Sequence, residues 1–150
     1  MSFRLQSVLA AVDGSTRAPG VFVAAVGIAR QFGASLYLYR ALVIPPDFPA
    51  AAVNPKGDPL PQLMLDEAVK DLLEITSIDP NYPVKPIIEP AAQPWRAILA
   101  AANRLAVDLI VLGSHGYGGL DRVLGTNAGK VVNHADRNVL IVHRGTEADP

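Results

Sequence analysis

The sequence predicts an α/β fold, a parallel sheet with helices wound on both faces, and three observations predict it. Short apolar runs of strand length alternate with segments of helical period. One of the runs, Val107-Asp108-Leu109-Ile110-Val111-Leu112, is almost continuously apolar, as a strand covered on both faces requires. That run ends in a glycine turn, Gly113-Ser114-His115-Gly116, followed after eight residues by Gly125-Thr126. Open α/β sheets bind ligands at turns of this kind, at the carboxyl ends of their strands.

Leu5 to Val12 reads as the first strand and ends in Asp13-Gly14-Ser15. Ser15 or Thr16 has the side-chain oxygen of a helix N-cap, and Pro19 suits the first turn, where N–H groups have no partner inside the helix. Ala18, Phe22, Ala25, Val26, Ala29 and Phe32 recur at helical spacing and form one apolar face, and Gly33 stops the helix. Leu36 to Val43 is the second strand, with Tyr37 and Tyr39 alternating against Leu36 and Leu38. Residues 44 to 61 hold six prolines, Pro45, Pro46, Pro49, Pro55, Pro59 and Pro61, and form a long loop. Such a loop is either a lid over a ligand or a plain surface excursion. A second helix runs from about Pro59 to Ser77, with Leu60, Leu63, Met64, Ala68, Leu72 and Ile75 on its buried face and Met64 as core filler.

Val84 to Glu89 is a third strand, and Pro94 opens a third helix whose Trp95, Ile98, Leu99, Ala102 and Leu105 face inward. After the fourth strand and the glycine loop come a helix from about Thr126 to His134 and a last strand, Asn138 to His143. The polar tail, Gly145 to Pro150, is expected to fray. No internal repeat or second domain is visible, so residues 1–150 are expected to form one domain.

Composition narrows the function. Half of the 150 residues are apolar and 18% are charged, which suits a packed core and not a disordered chain. A net charge of −1 gives no electrostatic footprint for nucleic acid. Without cysteine there is no disulfide framework, thiol nucleophile or zinc-thiolate site. The start of the chain is too short and polar before the first strand to be a signal peptide, and no apolar run reaches the roughly 18 residues of a membrane span. A cytoplasmic protein, with no nucleic-acid or membrane partner, is expected.

The glycine turn suggests a phosphate cradle, because glycines let the backbone approach a phosphate and the following helix N-terminus attracts it. Gly113, Gly116, Gly125 and Thr126 are its candidates, with Gly118 and Gly119 lending the loop flexibility. The pattern is neither a Walker loop nor a nucleophile elbow, since position 112 is Leu. Asp13 has two readings: a carboxylate that accepts from a ribose or an adenine amine, or an Asx turn with Gly14 and Ser15. His115 also has two, a phosphate donor or a loop histidine facing water. His134 sits near a helix end and interacts with its dipole, and His143 lies in the last strand; the three histidines lack metal-ligand spacing. Asp108 begins the fourth strand at the far end of the sheet, a poor place for catalysis. Arg122 and Lys130 could reach phosphates, but charges on helix surfaces are usually just solvated. No Ser-His-Asp set or pair of carboxylates stands out, so the site reads as one that binds.

Taken together and in order, four segments resemble the universal stress protein family over nearly the whole chain. They are residues 8–15 (VLAAVDGS), 106–116 (AVDLIVLGSHG), 125–128 (GTNA) and 134–142 (HADRNVLIV). The resemblance implies five parallel strands in the order 3-2-1-4-5, Rossmann-like and similar to the adenine nucleotide alpha hydrolase folds. It also implies a homodimer paired through Asn138 to His143, which would bury the exposed edge of an apolar terminal strand. ATP-binding members show Gly, two residues, Gly, nine residues, Gly, then Ser or Thr. By position, Gly113, Gly116, Gly125 and Thr126 would hold the phosphates, with Asn127 and Ala128 at the following helix start. Ala11, Val12 and Asp13 would flank adenine and ribose, and Leu112 would line the base pocket.

Two departures stand out: a spacing of eight residues instead of nine, and Arg40-Ala41 in strand two where the family often has His-Val. Ala41 gives adenine less packing, and Arg40 would stack on the base or reach solvent. The expected function is ATP binding, with magnesium, by a stress-response sensor or adaptor that acts with an unknown protein partner and hydrolyses ATP slowly at most. The rivals are a nucleotide-independent interaction module and an ATP-dependent enzyme of a related fold.

Overall fold

The computed structural model describes residues 3–44, 62–114 and 125–143. Along the chain lie β1 (Ser7–Ala11), α1 (Ala18–Phe32), β2 (Ser35–Leu42), α2 (Gln62–Thr76), β3 (Val84–Pro90), α3 (Pro94–Arg104), β4 (Leu109–Gly113), α4 (Thr126–His134) and β5 (Asn138–Val142). The strands pair in parallel in the order β3-β2-β1-β4-β5, the order the family resemblance implies. The chain winds outward from β1 through β2 to β3, then crosses back to β4 and β5. This reversal opens a crevice at the carboxyl ends of β1 and β4, where Ala11 pairs with Leu112.

The pleat of the central strands feeds two cores. Val8, Ala10 and Val12 point to one face, where α1 and α2 pack with Phe22, Ala25, Val26, Leu72 and Ile75. Leu9 and Ala11 point to the other, where α3 and α4 bring Ile98, Ala101, Ala102, Ala128 and Val131. β2 follows the same alternation: Leu36 and Leu38 enter the first core and Tyr39 the second. β4 is buried from Leu109 to Leu112, as its unbroken apolar run requires.

The helix ends show how local chemistry and packing divide the work. Gly33 takes the left-handed conformation at φ 65°, and Ala34 N–H returns 2.8 Å to the Ala29 carbonyl, closing α1 as expected. α3 stops in the same way without a glycine: Ala106 sits at φ 52°, and Val107 N–H reaches the Ala102 carbonyl at 3.1 Å. Arg137 steadies that end from β5's side, with Nη1 donating to the carbonyls of Ala102 (2.7 Å) and Val107 (3.0 Å). At the opposite end of the sheet from Gly113, Asp108 accepts from the N–H groups of Gln6 (2.6 Å) and Ser7 (3.1 Å), a structural task.

Several expectations are corrected. The N-cap of α1 is Arg17, not Ser15 or Thr16, and it makes no side-chain cap bond. Ser15 Oγ instead accepts from Arg17 N–H at 3.3 Å, so the hydroxyl shapes the turn before the helix. Phe32 is 54% exposed and stacks edge-on against Phe3 at 6.3 Å between centroids, while Ala29 in the same turn is fully buried. Leu63 is 71% exposed, and Met64 lines a cavity instead of filling the core. Leu63 lies on the side of α2 opposite the face that Ala68, Leu72 and Ile75 bury, while Leu65 in the same turn packs on Leu42 and Ala68. Leu60, nearly all of the proline-rich stretch and the tail lie outside the described residues.

Candidate functional site

A cavity of about 440 Å³ opens at the carboxyl ends of β1, β2 and β4, the crevice that the winding reversal creates. On the α3–α4 side its wall is apolar, built by Ala11, Tyr39, Ala41, Ile98, Leu112 and Ala128. Toward α1 and α2 it is lined by Gly14, Arg17, Arg40 and Met64. Val12, Asp13 and Gly113 stand between the two, at the ends of β1 and β4.

The turn after β1 is organised by its own polar groups. Asp13 Oδ1 accepts from Ser15 N–H at 2.9 Å, and the Ser15 carbonyl accepts from Ala18 N–H at 3.3 Å. The Asx turn is therefore formed, and Asp13 still lines the cavity, so its two readings coexist. Arg17 sits where the turn enters α1, with Nη1 donating to the His143 carbonyl at 2.9 Å. Arg40 neither reaches freely into solvent nor stands ready to stack. Its Nη1 donates to Asp71 Oδ2 at 3.0 Å, with 14% of its side chain exposed.

The N-termini of α1, α3 and α4 all approach this cavity, which Ala18, Pro94 and Thr126 line. α3 opens on Pro94, which has no N–H, and its Trp95 and Arg96 N–H groups go to Asn127 Oδ1 and the Gln93 carbonyl. The first turns of α1 and α4 are therefore the ones placed to offer N–H groups and their positive dipole ends to a ligand. Thr126, Asn127 and Ala128 line the wall from the first turn of α4. Asn127 Oδ1 also accepts from Trp95 N–H at 3.3 Å, tying the starts of α3 and α4 together. Gly125 caps α4 in extended conformation, and its N–H donates to the Ser114 carbonyl at 2.7 Å. It is not part of the described wall. Gly113 is, but its lack of a side chain serves packing: a Cβ there would stand 3.3 Å from Val21 Cγ2. His115 and Gly116, with Gly118, Gly119 and Arg122, lie outside the described residues.

The remaining candidates are elsewhere. Lys130 Nζ lies over the Trp95 ring at 5.4 Å, and His134 Nδ1 bonds the Lys130 carbonyl at 2.9 Å in the last turn of α4. Among the described residues no His, Cys, Asp and Glu cluster could hold a metal ion.

Tyr39 is a polar feature that sequence reasoning missed, since its alternation on β2 resembled that of any packed aromatic. The side chain is 1% exposed in the cavity wall, and its hydroxyl makes no hydrogen bond of good geometry. Burial first, then the neighbouring Glu89 carboxylate, hold its pKa well above the usual tyrosine value. The folded protein therefore keeps this proton at pH values where the unfolded chain has lost it, and stability falls as pH rises above the unfolded pKa. Tyr39→Phe is expected to stabilise the ligand-free protein by about 1–3 kcal/mol in urea unfolding and to flatten the alkaline loss of stability.

The sequence profile of the universal stress protein family matches residues 4–143. The chain belongs to that family. Universal stress protein A homolog 1 of Coxiella burnetii is 28% identical over 141 residues, covering 90% of this chain and 94% of its own. The universal stress protein UspA from Lactobacillus plantarum superposes with a TM-score of 0.71 at 26% identity, covering 94% of this chain and 99% of its own. A universal stress protein from Archaeoglobus fulgidus, solved in complex with dAMP, superposes with a TM-score of 0.68 at 22% identity, covering 93% and 98%. No helix among the described residues of this family member is long and apolar enough to cross a membrane.

Proposed function

We propose that this universal stress protein binds an adenine nucleotide, ATP with magnesium, in the cavity at the ends of β1, β2 and β4. One observation carries the reading: an apolar wall suited to a planar base and the N-termini of α1 and α4, suited to phosphate, share one cavity at the switch point. The residues present fit the ligand. Ala11, Ala41 and Leu112 would pack on the base, with Val12 beside it and Asp13 toward the ribose. Gly113, Thr126, Asn127 and Ala128 would face the phosphates, joined by His115 and Gly116 from the glycine loop. Gly125 would act by shaping the start of α4, since its N–H is already given to Ser114. Magnesium would arrive on the triphosphate, held by phosphate oxygens and water. The dAMP complex of the A. fulgidus relative supports an adenine ligand in this fold.

Calorimetric titration of nucleotide-stripped protein with Mg-ATP, with AMP and GTP as controls, tests the reading. At 100 times Kd, binding should add about 2.7 kcal/mol of stability. Neither heat nor a thermal shift at millimolar ATP would overturn it. The shorter glycine spacing and Ala41 favour the rival under that outcome, an interaction module that works without nucleotide.

We also infer that the protein pairs with a second copy through β5. The two edges of the sheet differ: β3 carries Lys85, Pro86, Glu89 and Pro90, which discourage strand addition, whereas β5 reads NVLIV without charge or proline. In an antiparallel pairing centred on β5, Leu140 opposes its own copy. Leu140→Lys would set like charges face to face, and sedimentation is expected to show the wild type as a dimer and this variant as a monomer. A wild type that sediments as a monomer would exclude the pairing.

A further inference from the structure

The helix layers on the two faces of the sheet differ in charge. α2 holds Asp66, Glu67, Asp71 and Glu74 against Lys70. On the other face α3 and α4 hold no carboxylate, and their ionisable groups are Arg96, Arg104, Lys130 and His134. Arg104 is paired with Glu89 of β3 at 3.0 Å. Among the described residues no ion pair involves Arg96 or Lys130.

These groups gather round one aromatic ring. The Arg96 guanidinium lies 4.8 Å from the centroid of the Trp95 indole and the Lys130 ammonium 5.4 Å from it. The His134 ring stands 4.8 Å away, tilted by 39°. Lys130 and His134 are one turn apart on α4, so two helices converge on the indole. Trp95 is half-buried, and Arg96, Lys130 and His134 are exposed. The face of the ring attracts each cation without neutralising it, and two like charges held round one ring repel. A carboxylate beside them relieves that repulsion and accepts charge-assisted hydrogen bonds from both. Tryptophan and arginine are also the residue types that most often anchor a protein interface.

The chemistry of the patch selects among occupants. A nucleic acid needs an extended basic track, and this chain has a net charge of −1 with only a few cations on this face. A second copy presenting its acidic α2 would join head to tail and repeat into an open chain. A short acidic segment of another protein meets neither objection.

We propose that the outer face of α3 and α4, centred on Trp95, docks an acidic segment of a protein partner, with carboxylates on Arg96 and Lys130 and an apolar side chain against the indole. Trp95 is tied to the nucleotide cavity by its N–H bond to Asn127 Oδ1 but is not part of the cavity's described wall, so the docking is independent of the nucleotide reading.

Trp95 is the chain's one tryptophan, and its emission reports the docking directly. The probe is a nine-residue peptide of three Glu-Glu-Leu repeats, titrated without nucleotide, with a Gln-Gln-Leu peptide and a ten-nucleotide oligothymidylate as controls. The acidic peptide is expected to shift the emission saturably, with a Kd below about 1 mM and at least tenfold below that of the glutamine peptide. Raising salt from about 0.05 M to about 0.5 M should weaken it severalfold. Arg96→Glu combined with Lys130→Glu should abolish the binding, and Lys70→Glu on α2 should leave it within twofold. Arg96→Gln combined with Lys130→Gln should weaken it at least fivefold, which keeps the test decisive if the charge-reversed variant fails to fold. No saturable shift with the acidic peptide overturns the proposal, as does an equal loss in Lys70→Glu. Tighter binding of oligothymidylate than of the peptide would make the surface one for nucleic acid. If sedimentation shows assemblies beyond a dimer that Lys130→Glu disperses, the occupant is a second copy and the proposal falls.

Discussion

Ala41→Trp is expected to weaken binding of the proposed adenine nucleotide by about a hundredfold or more while the protein stays folded. Ala41 is half-buried on β2, facing the cavity beside Ala11, Tyr39 and Ile98. An indole there takes the volume that a planar base would occupy, and its neighbours in the wall are too well packed to give way. Ala41 also packs against the core that holds Leu9, Tyr39 and Ile98, so the added bulk is expected to cost about 1–3 kcal/mol, less than would unfold the domain. Ala41→Val makes the converse case. Two added methyl groups against the base contribute about 0.8 kcal/mol each when fully buried, so affinity should rise up to about tenfold. Calorimetry on both variants decides it: equal affinity of Ala41→Trp and wild type for ATP would remove β2 from the base site.

Phe22→Ala is expected to cost about 3–5 kcal/mol of stability, read as a lower urea midpoint with unchanged m. Phe22 is fully buried on α1 and belongs to the core that joins α1 to β1, β2 and β4. Truncation loses its transfer free energy and leaves a cavity that the rigid sheet beneath closes only in part. Since domains of this kind are stable by roughly 5–15 kcal/mol in all, the change removes a large share of the total. A loss under about 1 kcal/mol would mean that α1 is not anchored through this residue.

Much of the architecture was legible because it rests on local periodicity. The helical spacing from Ala18 to Ala29, the Gly33 stop, the unbroken run in β4 and the Thr126 start of α4 each follow from residues within a few positions of one another. The errors are of different kinds. Phe32 keeps the period of α1 but ends the helix against Phe3, whereas Leu63 lies off the period of Ala68, Leu72 and Ile75, on the outer side of α2. Ser15 has the chemistry of an N-cap, and its hydroxyl serves the preceding turn instead.

The candidate site divides along the same line. Asp13, Gly113 and Thr126 could be named from the sequence because strand ends and helix starts bear recognisable residues. Arg17, Tyr39 and Met64 joined the wall only once α1, β2 and α2 were placed around it.

The sequence by itself determined the α/β alternation, the two-sided burial of the central strands and the loop ends where a ligand would sit. Tertiary structure alone decided the pairing of Arg40 with Asp71, of Asn127 with Trp95 and of Arg17 with the His143 carbonyl. Propensity and period act over a few residues, whereas each of these bonds joins groups 31, 32 and 126 positions apart, brought within reach only by packing on the sheet.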